Sequence, residues 1–352
     1  MLTGMKKEEN RHVTLYRQYR PGAFSEVRGQ VHVVDTLEKA IAHKKVAHAY
    51  LFSGGRGTGK TTVARILARE LGVSDKDLYE MDAASNRGID DIRELREGVY
   101  AMPFGSPYKF YIIDEAHMLT KEAWNALLKT LEEPPAHCIF VLATTERDKV
   151  PETIQSRCEV YAFKQPTREI LAQIVTDVAK AEGYTIDRPA AELVALLAEG
   201  SFRDALSVLQ KVLATTDNKK VDAAAVELVS GAPRGELIRQ IIQGLADKNA
   251  SKALAAIQGG IAENMDARTL AKLLIHRMRV ILLMRYAPDL ADSLSTELTE
   301  SDLALAQEVS KNPSITSDTL RALLEAYGTM AYAAVPHLPL ELAVIDLCKG
   351  KE

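Results

Sequence analysis

The run Gly54-Gly55-Arg56-Gly57-Thr58-Gly59-Lys60-Thr61 constrains the fold of this chain more than any other segment. It follows the apolar Ala49-Tyr50-Leu51-Phe52 and leads into Thr62-Val63-Ala64-Arg65-Ile66-Leu67-Ala68, whose pattern is helical. A strand, a glycine-rich loop and a helix in that order make a phosphate cradle. The glycines let backbone N–H groups turn inward, and the helix N-terminus adds positive potential. Lys60 is placed to reach the β- and γ-phosphates of ATP, and Thr61 to offer its hydroxyl to Mg2+. Gly54, Gly55, Arg56, Gly57, Thr58, Gly59 and Thr62 complete the cradle. By itself the loop specifies ATP or GTP, and no more.

A phosphate cradle needs a second strand that carries acids. Phe110-Tyr111-Ile112-Ile113-Asp114-Glu115-Ala116-His117 supplies it. Asp114, at the strand end, is expected to hold Mg2+ through its water shell, and Glu115 to polarise the attacking water as general base. A third apolar run, Cys138 to Ala143, ends in Thr144-Thr145, where Thr145 can hydrogen-bond the water or the γ-phosphate. Continuous apolar runs of this kind, separated by helical patterns, indicate strands buried on both faces of a parallel sheet. The expected fold is therefore an α/β P-loop domain with a parallel sheet.

Beyond Gln165-Pro166-Thr167 the pattern becomes helix after helix with no convincing strand, starting from Thr167 as an N-cap. Gly and Pro cluster again at Ser230 to Gly235. Three units are expected: an α/β domain over 1–165, a small helical lid over 166–229, and an all-α domain over 230–352. A chain of 352 residues has room for that many. The net charge of −4 excludes bulk attraction to polyanions, so any nucleic-acid contact must be a local basic patch. Cys138, Cys158 and Cys348 lack paired spacing, which argues against a disulfide framework or a four-ligand zinc site. The polar first ten residues do not read as a signal peptide, and no apolar stretch is long enough for a membrane span, so a cytoplasmic protein with no membrane partner is expected. Trp124 and Cys158 read as packed residues; His117 reads as a structural one, with a coupling role left open because Asp114-Glu115-Ala116-His117 also resembles a helicase signature.

Arg157, in Ser156-Arg157-Cys158, and Arg203, in Gly200-Ser201-Phe202-Arg203-Asp204, are by spacing ordinary surface charges. Other segments change that reading. They are Tyr16-Arg17-Gln18-Tyr19-Arg20-Pro21, His48 to Gly54, Asp82-Ala83-Ala84-Ser85-Asn86, Asp114-Glu115-Ala116-His117 and Asn125 to Pro135. With Ser156-Arg157-Cys158 they make the chain resemble the AAA+ ATPases, in particular the clamp-loader branch of bacterial DNA polymerase III γ/τ subunits. The resemblance covers roughly residues 12–230 and weakens to a general helical pattern where that family has its oligomerising collar.

The resemblance implies roles that spacing could not. Arg157 matches the finger that reaches a neighbouring subunit's ATP site, and Arg203 the second sensor that closes the lid on the γ-phosphate. Arg20 and Pro21 match the lining of the base pocket. Arg87 and Arg93, at the helix start over 86–93, are the candidates for contact with a DNA backbone, which gives affinity without sequence preference. The implied partners are other clamp-loader subunits in a hetero-oligomer, expected to be pentameric and able to hold several copies of this chain. A sliding clamp and primer–template DNA complete the set. Most bacterial members carry a four-cysteine zinc module where this chain has only Gly72 to Tyr79, so ATP and Mg2+ are expected but no zinc. The shortened segment is similar to that of the small subunits of replication factor C. Two rival functions stay open. A branch-migration helicase would be expected to carry a DNA-binding winged helix within 230–352, and none is recognisable there. A non-catalytic scaffold would not need the intact Lys60, Thr61, Asp114 and Glu115.

Overall fold

The computed structural model describes residues 13–86, 88–216, 218–263, 265–289 and 298–349. The chain divides into two compact units: residues up to Leu171 together with Ala198–Ser207, and Ala172–Leu197 with the residues from Val208 onward.

In the first unit a five-stranded parallel sheet runs in the order β2-β3-β4-β1-β5. Its strands are β1 (Ala49–Gly54), β2 (Leu78–Asp82), β3 (Lys109–Asp114), β4 (Cys138–Thr144) and β5 (Glu159–Phe163). The helices that matter below are α1 (Leu15–Gln18), α2 (Val31–Ala42), α3 (Lys60–Glu70), α4 (Ile89–Val99), α5 (Lys121–Glu132) and α6 (Glu152–Gln155). β1, β3 and β4 are the three apolar runs, and each is buried on both faces.

Alternation along those strands sorts their side chains into two cores. Leu51, Tyr111, Ile113, Phe140 and Leu142 pack on one face, with Ile92 and Val99 of α4, and Ala123, Trp124 and Leu127 of α5. Tyr50, Phe52, Phe110, Ile112, Ile139 and Val141 pack on the other, with Val33 and Leu37 of α2, and Val63, Ile66 and Leu67 of α3. The result is a three-layer α/β/α sandwich. Tyr50, Phe52, Phe110 and Phe140 have no exposure at all. Full burial of a large apolar side chain is worth about 1.5–3 kcal/mol, so these central positions hold the sheet. Tyr79, Tyr111 and Phe140 stack across three neighbouring strands at 5.0 Å spacings.

β2 and β5 do not follow the continuous apolar pattern. They are the sheet's two edges, and three of their ten residues carry charge: Glu80, Asp82 and Glu159; most of their side chains are half-buried or exposed. An edge strand covered on one side only does not need a continuous apolar sequence.

The second unit is helical, with one exception that corrects the expectation of no strand beyond 166. A two-residue parallel pairing joins β6 (Thr185–Ile186) to β7 (Lys220–Val221). Two residues flanked by polar side chains give no alternation to read. The core of this unit gathers Ile238, Ile241, Leu245, Ile257, Leu274, Met278, Ile281, Leu323 and Val344. Within it, buried Asp302 bonds Arg239 at 3.0 Å and Arg277 at 2.8 Å, pairing a charge that burial would otherwise penalise.

Candidate nucleotide-binding and hydrolysis site

Parallel pairing puts the carboxyl ends of β1, β3 and β4 side by side. β4 lies between the other two, with Ser53 opposite Thr144 and Ile113 opposite Leu142. Gly54, Asp114-Glu115 and Thr144-Thr145 therefore lie along one edge of the sheet, the place where open α/β sheets bind ligands.

The loop after β1 has the backbone that its glycines allow. Gly54 has φ +151°, and a Cβ there would lie 2.4 Å from the carbonyl oxygen of Phe163 on β5. Gly57 has φ +69°, and a Cβ there would meet Ser201 Oγ at 2.0 Å. No acidic residue occupies the first turn of α3, so its N-terminal N–H groups and positive dipole end stay uncompensated by the helix's own side chains. Arg56 is exposed at the loop tip, and Thr58 is buried, its hydroxyl donating to Gly55 O at 2.9 Å.

Lys60 is buried, and its ammonium donates to the carbonyls of Gly54 at 2.8 Å and Gly55 at 2.9 Å. Burial pushes its pKa down, and the nearby Glu115 and Asp114 push it back up. The Thr61 hydroxyl donates to Asp114 Oδ2 at 2.7 Å, which brings both expected Mg2+-holding residues together. Glu115 sits at φ +48°, a left-handed conformation that is costly for a residue with a side chain. Its Oε2 accepts a hydrogen bond from Thr145 Oγ1 at 3.1 Å. Lys60, Thr61, Asp114, Glu115 and Thr145 thus form one polar constellation at the mouth of the loop. Among the described residues, no group of three or more His, Cys, Asp or Glu side chains is arranged to hold a metal. A cation here would be held by one hydroxyl and one carboxylate, together with oxygens of its ligand and water. That donor set suits Mg2+, which keeps several waters and takes few protein ligands.

Arg203, in the helix Phe202–Thr215, is exposed with its guanidinium 5.1 Å from the centre of the Tyr16 ring of α1. Just before it, Ser201 is buried against Gly57, and Phe202 N–H donates to Gly57 O at 3.0 Å. The segment that carries Arg203 is therefore hydrogen-bonded directly to the loop. Arg20 and Pro21 follow α1 and are half-buried, and burial lowers the Arg20 pKa, with the neighbouring Arg65 adding to the effect. Arg157 follows α6. Its Nη2 pairs with Glu132 Oε1 at 2.6 Å, and its Nη1 donates to Thr153 O at 2.6 Å. Arg93 is exposed and pairs with Asp90 at 3.0 Å, on a helix start whose first turn also holds Asp91. Arg87 lies outside the described residues.

Sequence reasoning missed several residues that build this site. Gln30, wholly buried, donates to Lys164 O at 2.7 Å and Thr58 O at 3.4 Å, and accepts from Lys164 N–H at 3.1 Å. It ties the loop to the end of β5, and nothing in its local sequence marks it. Ser201, Tyr16 and Glu132 are likewise visible only through what they touch. Trp124 is buried as expected. Cys158 is half-buried, and burial pushes its thiol up to about 12, which suits a packed residue better than a nucleophile.

Two family models match the chain. One, described as "DNA polymerase III, delta subunit", covers residues 29–88 and 73–167. The other, "DNA polymerase III clamp loader subunit, ATPase lid domain", covers 170–218. Among curated proteins, DNA polymerase III subunit tau of Bacillus subtilis is 37% identical over 95% of this chain and 63% of its own length. The gamma/tau subunit of Mycobacterium tuberculosis is 36% identical over 95% of this chain and 62% of its own. The tau subunit of Escherichia coli is 34% identical over 82% of this chain and 48% of its own. The chain thus spans less than two thirds of the length of these relatives. Among solved structures, the Thermotoga maritima RuvB Holliday junction branch migration motor superposes with a TM-score of 0.52 at 23% identity. That match covers 64% of this chain and 79% of the other, and it speaks to the fold alone.

Proposed function

The chain belongs to the DNA polymerase III γ/τ family of clamp-loader subunits, and on that premise we propose that it is an ATP-hydrolysing subunit that helps open a sliding clamp and load it onto primed DNA. The single observation that carries the hydrolytic part is the Thr61–Asp114 contact of 2.7 Å set beside Glu115, with the Lys60 ammonium on the same loop. A non-catalytic relic would have no reason to keep all four groups together.

In the proposed reaction, the N–H groups of Gly55–Thr61 and the start of α3 hold the phosphates, and Lys60 offsets their charge. Glu115 accepts a proton from water as its oxygen attacks the γ-phosphorus in line, and the bond to the β–γ bridging oxygen breaks to leave ADP and phosphate. Thr145 holds the Glu115 carboxylate in place. Thr61 and Asp114 are the residues that would hold Mg2+, which would supply positive charge to stabilise the phosphates.

Arg203 would reach the γ-phosphate from the lid segment, and Arg157 would serve the site of the neighbouring subunit. The neighbour in turn would complete this one, so assembly controls hydrolysis. Arg20 and Pro21 would line the base pocket, and Arg87 and Arg93 would touch a DNA backbone. We retain the division into an ATPase domain (1–165), a lid (166–229) and an oligomerising domain (230–352), in a hetero-oligomer, expected to be pentameric, that works in the cytoplasm. No helix among the described residues is long and apolar enough to cross a membrane.

The test is ATP hydrolysis by the chain with its loader partners, with and without clamp and primed DNA, compared with Lys60→Ala. Stimulation by clamp and DNA, abolished in the variant, is expected. No stimulation by either, or full activity in Lys60→Ala, overturns the proposal.

A further inference from the structure

The hydrolytic constellation leaves one buried titratable side chain unused. His117 lies on the 3₁₀ turn Ala116–Met118 that follows β3 and Glu115, and its imidazole is only 7% exposed. Nδ1 is 3.1 Å from Thr144 Oγ1 and 3.5 Å from Glu115 Oε2, and Nε2 is 3.3 Å from Glu146 Oε1. Glu146 is in turn anchored by Lys149 at 2.9 Å, and its own N–H donates to Thr144 Oγ1 at 3.0 Å. The ring is therefore gripped at both nitrogens by β4 and the residues just after it.

We propose that His117 is a positioning residue for Glu115, an inference that rests on the ATPase reading above. Glu115 occupies a left-handed backbone conformation, and its long side chain has several torsions to settle. Thr145 holds one oxygen, Oε2, and His117 Nδ1 stands beside the same oxygen from a different element. With Thr145 donating to Oε2 at 3.1 Å and the His117 ring 3.5 Å from it, Oε1 is the oxygen left to take the proton from water. Glu146 fixes the ring plane by engaging Nε2, so Nδ1 stays turned toward Glu115 and Thr144. Orientation of this kind changes the rate of the chemical step and leaves nucleotide affinity alone, because the polar partners of His117 are Thr144, Glu115 and Glu146 rather than the loop residues that hold phosphate.

The experiment compares wild type, His117→Ala, His117→Asn and His117→Gln in the full chain assembled with its partners. It measures kcat and KM for ATP, the affinity for a fluorescent non-hydrolysable ATP analogue, and the thermal midpoint. Misplacing a catalytic group by about 1 Å costs on the order of 100-fold. His117→Ala should therefore lose about 10- to 100-fold in kcat, with analogue affinity within about twofold of wild type. Asn presents a polar atom near the position of Nδ1 and should recover most of the rate. Gln reaches toward Glu146 and should recover little. Wild-type kcat in His117→Ala overturns the inference. So does equal impairment of the Ala and Asn variants, or a rate loss that only tracks lost analogue affinity and a lower thermal midpoint. A wild-type chain that hydrolyses no ATP at all removes the ATPase reading instead, and this inference with it.

Discussion

Replacing Gly57 with Ala attacks the loop through two separable causes. The first is backbone strain, since φ is +69° and an L-residue there costs about 1–2 kcal/mol. The second is overlap, because the new Cβ would lie 2.0 Å from Ser201 Oγ and 2.9 Å from Ser201 Cβ, on a residue only 3% exposed. Overpacking a buried site costs about 1–3 kcal/mol. The sum, about 2–5 kcal/mol, is a large share of the stability of an ordinary domain. Ser201→Gly should relieve the overlap and leave the backbone term. It also removes the hydroxyl that accepts Asp204 N–H at 3.1 Å, but Gly in place of a Ser cap costs only a few tenths of a kcal/mol. The double variant should therefore be more stable than Gly57→Ala alone, with a coupling energy of about 1–3 kcal/mol. The assay is urea unfolding followed by fluorescence of Trp124, the single tryptophan of the chain, which is buried in the same unit as the loop. A Gly57→Ala midpoint equal to wild type, or no recovery on adding Ser201→Gly, refutes the reasoning.

Three other outcomes follow from the same geometry. Arg157→Ala should leave ATP binding by this chain intact and lower hydrolysis by the assembly about 10³-fold or more, as loss of a trans arginine does; the fold should survive, because the partly exposed pair with Glu132 is worth about 0–1 kcal/mol. Tyr16→Ala removes the ring under Arg203, a contact worth about 0.5–1 kcal/mol, and should raise KM for ATP about two- to fivefold, while Tyr16→Phe should not. Burial alone would raise the Asp77 carboxyl, but donors on Phe104, Ser106 and Gly105 outweigh it and hold the pKa at about 2, below the ordinary 3.8. A depressed carboxyl stabilises the fold above about pH 4, and that contribution is lost as pH falls toward 2; Asp77→Asn should flatten this part of the acid-unfolding profile.

Much of the site is legible in the sequence because its chemistry is local. Gly54 to Thr61 is one contiguous loop, Asp114-Glu115 one strand end, and Thr144-Thr145 another. The apolar runs that become β1, β3 and β4 must be continuous because both faces of those strands are covered. Edge strands β2 and β5 escaped the same reading, since one open side lets polar residues in. The β6–β7 pairing escaped because two residues carry no period.

By itself, then, the sequence determined that this chain builds a parallel sheet with a phosphate loop after one strand and an acid pair at the end of another. Backbone N–H groups, glycine torsions and strand burial all follow from neighbours in the chain. Only the tertiary structure decided what surrounds that loop: Gln30 bonded to Thr58, Ser201 pressed on Gly57, Tyr16 under Arg203, Glu132 holding Arg157, and His117 beside Glu115. All but the last join residues at least 25 positions apart. His117 and Glu115 are two residues apart, yet Thr144, at the end of β4, and Glu146, just beyond it, are what turn the ring toward the carboxylate. Contacts of that kind depend on which strand ends the sheet order brings together, and no local pattern of residues encodes that order.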